Sequence, residues 1–184
     1  MNKPIPITAP LPAQTVCSLQ AGDIVELSGT VWTLRDAGHK RIADALAAGA
    51  ALPADFSNAL IFYAGPAPAK PGRIIGPIAA TTSMRMDGFL EMMYKLGTAG
   101  SIGKGGRSAE AAALCKQYRR VYFLSIGGAA ALVSRHVRSC EVVAWDDLGA
   151  ESLKKLEVEN LRLVVDIDAQ GRIFHDEQIK IYRQ

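Results

Sequence analysis

The sequence predicts an α/β domain built on a mixed sheet. Short runs rich in β-branched and aromatic residues alternate with stretches of helical periodicity through the middle of the chain. Both ends are rich in strand signals, and parallel strands joined by helices do not account for them alone. The 184 residues carry no internal repeat and no linker long enough to divide them.

The first 20 residues hold Pro4, Pro6, Pro10 and Pro12 and read as an extended N-terminal arm, followed by one domain over 21–184. Asp23 to Leu34 alternates and is β-branched, so it reads as a strand. Arg35 to Ala48 is a helix, with Ile42, Ala45 and Leu46 on its apolar side. Asn58 to Tyr63 is a short buried strand that stops at Ala64-Gly65-Pro66. Arg73 to Ala80 reads as an edge or bulged strand, interrupted by Gly76-Pro77. Phe89, Met92, Met93 and Leu96 set a helix over 87–96, which Gly97 ends.

Ser101 to Gly106 is a short strand running into a glycine turn, and Ser108 caps a helix reaching Tyr118. Val121 to Ile126 is continuously apolar, as in a strand buried on both faces. A small-residue helix follows from Gly127 to Val137. Glu141 to Trp145, Leu161 to Asp168 and Ile173 to Tyr182 close the chain as strands, with a turn at Ala169-Gln170-Gly171.

Hydrophobic residues make up 49% and the formal charge is +3, an ordinary globular balance. Lys and Arg are scattered rather than striped and aromatics are few, so nucleic-acid binding is not expected. No basic, apolar leader opens the chain and no window suits a bilayer, so the expectation is a cytoplasmic protein with no membrane association. Cys17, Cys115 and Cys140 stand far apart in sequence with no metal-ligand spacing, so no metal ligand is expected on this chain.

Three stretches can carry chemistry. Arg35-Asp36-Ala37-Gly38-His39-Lys40-Arg41 spans a strand-to-helix junction, where backbone N–H groups favour anions. Asp36 can cap that helix, Arg35 can clamp a carboxylate, and His39 lies one turn along from it. Thr81-Thr82-Ser83-Met84-Arg85 gathers three hydroxyls and a guanidinium at a second junction. Gly103-Lys104-Gly105-Gly106-Arg107 offers close backbone approach and a point charge at a third. Thr98 and Gly105 stand where a phosphate loop of the Walker type needs Gly and Ser or Thr, so that reading fails, and no dinucleotide fingerprint is present. Each stretch falls after a strand and before a helix, the place where open α/β sheets bind ligands. Read singly, each is also compatible with an ordinary capped helix start or a solvated turn.

At these residues the chain resembles the β subunit, or C-terminal half, of the iron–sulfur-dependent class I fumarate hydratases and L-tartrate dehydratases. The stretches that carry the resemblance are GDIVELSGTVWTLRDAGHKRI at 22–42, YAGP at 63–66, TTSMRMD at 81–87, IGKGGRS at 102–108, SIGGAAAL at 125–132, DDLGAESLKKLEVEN at 146–160 and VVDIDAQG at 164–171.

The resemblance implies a single swivelling β/β/α domain and a partner α subunit whose cysteines hold a 4Fe-4S cluster. It implies reversible addition of water across the double bond of a small dicarboxylate, and a homodimeric or α2β2-type assembly. It assigns Arg35, Arg85 and Lys104 to substrate carboxylates with Thr82 assisting. Thr81 becomes the proton-transfer residue, with His39 as the alternative for proton transfer or orientation. RDAGHKR and SIGGAAA look like the fumarate enzymes, whereas TTSMRM looks equally like the tartrate enzymes. Fumarate/(S)-malate is the expected substrate pair and L-tartrate the alternative. A non-catalytic module that binds small anions is the alternative of another class.

Overall fold

A computed structural model describes residues 3–183. Seven strands form one mixed sheet, in the order β1 (Ile5–Ala9), β2 (Ile24–Thr33), β3 (Leu60–Phe62), β4 (Gly100–Gly103), β5 (Val121–Leu124), β7 (Leu153–Ile167), β6 (Val137–Ala144). Strands β1 to β5 pair in parallel, whereas β7 runs antiparallel to β5, β6 and β2. Because β7 pairs with both β5 and β2, the pairing closes a ring of β2, β3, β4, β5 and β7, with β1 and β6 outside it.

The alternation in the sequence explains the layers. Val25, Leu27 and Val31 of β2, Leu60 and Phe62 of β3, and Leu156, Val158, Leu161, Leu163 and Val165 of β7 share one apolar cluster. The opposite faces are covered by helices. Helices α2 (Asp36–Ala47) and α3 (Asp87–Lys95) place Ile42 and Met93 in a second cluster with Ile61 of β3. Leu90 and Tyr94 of α3 and Ala111, Ala112 and Cys115 of α4 (Ala109–Tyr118) meet Tyr122 of β5 and Ile167 of β7 in a third. Ser108 caps α4 as expected, its Oγ accepting from the Ala111 N–H at 3.1 Å.

Five expectations need correction. The proline-rich opening is no separate arm: β1 joins the sheet and a short helix, Ala13–Ser18 (α1), follows it. The extended backbone that the prolines favour is kept, since Pro6 lies in β1 and Pro12 is extended, but Ile7, Leu11, Val16 and Leu19 around them enter the main core and tie the segment down. Residues 73–80 form no strand. Gly76 lies against the Ala67 and Pro68 carbonyls, and the segment keeps only a bridge from Ala80 to Ala64. The helix expected over 127–137 shrinks to Ala130–Val133 (α5) and one tight turn, after which β6 begins at Val137. Finally, Phe174–Tyr182 is a helix, α6, not a strand. Asp176 and Glu177 occupy its first turn, where they suit the positive end of the helix, and Ile173 keeps a lone bridge to Ile167. The last strand, β7, is also longer than expected. It begins at Leu153, because Leu156 and Val158 alternate inward between charged neighbours.

Candidate functional site

Since β2, β3, β4 and β5 run parallel, their carboxyl ends emerge on one side of the sheet, and the segments that follow them meet there. Arg35 follows β2 directly, Lys104 follows β4, and residues 81–85 lie between them. The Thr81 N–H donates to the Tyr63 carbonyl at 2.7 Å, just past β3. Lys104 N–H reaches the Thr81 carbonyl at 3.1 Å and Ser83 N–H reaches the Lys104 carbonyl at 3.1 Å, which zips the second stretch to the third. Thr82 and Lys104 form an isolated parallel bridge. The first and second stretches meet through side chains. Arg85 Nη2 donates to Asp36 Oδ2 at 3.2 Å and to Thr81 Oγ1 at 2.8 Å. The backbone thus brings all three stretches together.

Each cation is held differently. Arg35 is partly buried, with Nη2 3.2 Å from Glu151 Oε1. Its Nε is buried and has no hydrogen-bond partner. Gly65 makes the room for this guanidinium: a Cβ there would stand 3.2 Å from Nη1 and 2.8 Å from the Ala150 carbonyl oxygen. Arg85 and Lys104 are exposed, Thr81 is half-buried and Thr82 is exposed. The Arg85–Asp36 pair is open to water on both sides, a geometry worth little to stability, so an incoming carboxylate can displace Asp36 at small cost.

His39 lies apart from these groups. It is fully buried, stacked on Phe89 at 5.4 Å and edge-on to Tyr63 at 5.6 Å. Its Nδ1 stands 2.8 Å from the Arg35 carbonyl, which can only accept, so Nδ1 carries the proton and Nε2 is left bare and without a partner. Burial lowers its pKa to about 4, against the bond to Arg35 that raises it, so the ring is neutral at pH 7. Asp36, expected as the helix cap, makes no capping bond, because its carboxylate turns to Arg85. Glu151 takes over from far along the chain, its Oε2 accepting from the Ala37 N–H at 3.1 Å.

Several structural residues of the site carry no role in the sequence reading. Arg107 is buried, 5.3 and 5.2 Å from the rings of Tyr63 and Tyr122, and its Nε donates to Asp87 Oδ1 at 2.7 Å. Asp87 Oδ2 accepts from the Ser108 N–H at 2.9 Å. This ion pair ties the start of α3 to the start of α4. Both residues sit inside the TTSMRMD and IGKGGRS stretches, which is the signal that could have found them. Tyr122 Oη stands 2.9 Å from Ser83 Oγ and 2.7 Å from the Gly105 carbonyl. A phenol has one proton and the carbonyl can only accept, so Tyr122 donates to Gly105 and accepts from Ser83. Glu151 likewise sits inside the DDLGAESLKKLEVEN stretch, although nothing in that stretch pairs it with Arg35.

Two surface crevices, of about 300 and 730 Å3, flank the loop 66–77. Neither is lined by Arg35, Thr81, Arg85 or Lys104. Among the described residues, no group of three or more His, Cys, Asp or Glu is placed to hold a metal ion, and no helix is long and apolar enough to cross a membrane. Cys115 is fully buried, its sulfur is 3.1 Å from the Tyr94 hydroxyl, and burial pushes its pKa up to about 11.

The family model described as Fumarase C-terminus matches residues 2–178. The chain is 31% identical over 186 residues to the L(+)-tartrate dehydratase subunit beta of Escherichia coli strain K12, covering 97% of this chain and 90% of that subunit. It is 34% identical over 157 residues to fumarate hydratase 1, mitochondrial, of Leishmania major. It is likewise 34% identical over 154 residues to the anaerobic class I fumarate hydratase of Escherichia coli strain K12. These matches take in 83% and 82% of this chain but span 28% of either fumarate hydratase.

Proposed function

This chain belongs to the Fumarase C-terminus family, and on that premise we propose that it is the β subunit of an iron–sulfur hydro-lyase. The reaction is the reversible addition of water to a small dicarboxylate, with fumarate/(S)-malate as the substrate pair and L-tartrate as the second reading. The observation that carries the proposal is the meeting of Arg35, Thr81, Arg85 and Lys104 at the carboxyl ends of parallel strands. The full-length match to a tartrate dehydratase β subunit keeps the second reading in play.

The proposal places the 4Fe-4S group on the α subunit, where it would supply Lewis acidity for the hydroxyl that adds or leaves, and the buried Cys115, its thiol pKa pushed up to about 11, supports that reading. This chain's own residues hold the substrate. Arg35 is partly buried with Nη2 beside Glu151, and Arg85 presents an exposed guanidinium whose partners among the described residues are Asp36 and Thr81. Lys104 adds a third cation and Thr82 a hydroxyl. Thr81 is the proton-transfer residue. A free threonine hydroxyl is a very weak base, but here Oγ1 accepts from the Arg85 guanidinium at 2.8 Å. A hydrogen bond from a cation favours the deprotonated oxygen. His39, neutral and walled in behind Arg35, serves orientation: its Nδ1–H fixes the Arg35 carbonyl at the start of α2.

The surface around these residues suits a facing chain. Met84 and Ile126 are 54% and 60% exposed in segments beside them. Co-expression with its α subunit and anaerobic assay with (S)-malate and with L-tartrate is the test. Dehydration of malate above tartrate is expected; turnover of neither by a cluster-loaded pair would refute the assignment.

A further inference from the structure

Lys104 reaches the site from a loop, residues 103–107, and that loop is fixed from several directions. On one flank Arg107 is locked to Asp87. Beneath it, Tyr122 grips the Gly105 carbonyl at 2.7 Å. A further contact comes from α6, at the far end of the sequence. The ring of His175 lies so close to Gly106 that a Cβ built there would stand 2.7 Å from Nε2 and 2.9 Å from Cε1. Real Cβ atoms do not approach so near, so the glycine and the imidazole fit each other.

The ring is not free to swing away. Its Nδ1 stands 2.8 and 2.9 Å from the two oxygens of Asp166, a carboxylate with no solvent exposure. The backbone N–H of His175 reaches the same carboxylate at 3.2 Å. A buried carboxylate stripped of its donors is costly, so Asp166 dictates the place of the ring. With Nδ1–H held by Asp166, Nε2 is the atom turned towards Gly106, with Asp176 Oδ1 at 3.3 Å.

We propose that His175, oriented by Asp166, is a positioning residue for Lys104: its imidazole is the wall on which loop 103–107 rests at Gly106. The proposal builds on the substrate-holding role given to Lys104 above. It also explains why two glycines in a row follow that lysine. Gly105 takes a left-handed φ of 74°, and Gly106 leaves space for the ring.

The test uses Gly106→Ala, His175→Asn and the double variant. Asn retains a side-chain donor for Asp166 while vacating the ring's volume. In the cluster-loaded pair, Gly106→Ala should raise KM about tenfold or more, as for loss of a charge-assisted hydrogen bond, with kcat little changed. Adding His175→Asn should bring KM back, because the new methyl then has room. The isolated, isotope-labelled chain gives a second readout, since the amide signals of Lys104 and Gly105 should move in Gly106→Ala and return in the double variant. Should Gly106→Ala not fold, His175→Asn alone should hasten amide exchange at 104–106 with an almost unchanged thermal midpoint. Wild-type KM and amide positions in Gly106→Ala, additive damage in the double variant, or unchanged exchange in His175→Asn would each overturn the proposal. If the pair turns over neither substrate, the assignment of function fails, and the amide signals still decide whether His175 sets the loop.

Discussion

At the scale of single residues, the division between charge and chemistry can be read from two side chains that touch. Arg85 donates to Thr81 Oγ1 and to Asp36 through Nη2, and its other nitrogens remain available to a carboxylate. Arg85→Lys keeps the charge but loses the planar fork, so kcat/KM should fall roughly ten- to a hundred-fold, the cost of about 1.5–3 kcal/mol for a charge-assisted bond. Thr81→Val removes the hydroxyl at nearly constant volume. It should lower kcat by about 10²–10⁴ while substrate binding survives. Steady-state kinetics of both variants in the assembled pair provide the check, and near-wild-type kcat in Thr81→Val would move proton transfer to the partner chain. His39 makes a different prediction, because it is a stability group. Its pKa lies near 4 in the folded chain and near 6.5 when free, so between those values the unfolded state binds the extra proton. The stability from keeping this ring neutral is therefore complete above about pH 6.5 and drains away as the pH falls towards 4. The loss should approach about 2 kcal/mol by pH 5, at order of magnitude. Urea unfolding at pH 7 and pH 5 should show a smaller drop for His39→Asn than for the wild type, and equal drops would remove His39 as the cause.

At the scale of elements, the N-terminal segment is the clearest departure from expectation, and it can be tested. Leu11 and Val16 have no exposed surface, and Leu19 has 2%. If residues 1–20 were an arm, Leu11→Ala would be silent. In the structure described here it should cost about 2–5 kcal/mol, read from the midpoint of chemical unfolding. The strands and helices that bear the charged residues were legible because one signal dominated in each: alternation in β2, a serine cap before α4, a continuous apolar run in β5. What escaped was set by distant partners. The first strand forms because β2 offers its edge, and β7 extends back to Leu153 because β2 and β6 flank it on both sides. The apolar alternation near Ile179 and Ile181 imitates a strand, yet both side chains point to solvent from a helix. The charged residues of the site were visible in sequence as three clusters. Their supports were not, since Glu151 reaches Arg35 across 116 residues and His175 reaches Gly106 across 69, and neither pairing is written in a local pattern.

At the scale of the whole molecule, water sets how firmly the cations can hold an anion. Arg85 and Lys104 stand on an open surface, where a charge pair about 4 Å apart gains only ~1 kcal/mol in bulk water. The same pair gains several times more once a second surface lowers the effective dielectric constant. Arg85 and Lys104, beside the partly buried Arg35, are therefore a weak grip on a dicarboxylate until something covers them, and the partner subunit proposed above would do so. The thiols bear on the proposed division of labour. A cluster needs thiolates, yet burial raises both the Cys115 and the Cys140 thiols above their ordinary value. The chain purified alone and treated anaerobically with iron and sulfide should consequently show no 4Fe-4S absorbance, and it should convert neither malate nor L-tartrate. Added to its cluster-loaded α subunit, it should restore turnover, with activity saturating as the two chains reach equal amounts. A stoichiometric cluster on this chain alone would contradict the proposed division of labour, and so would full activity from the α subunit without it.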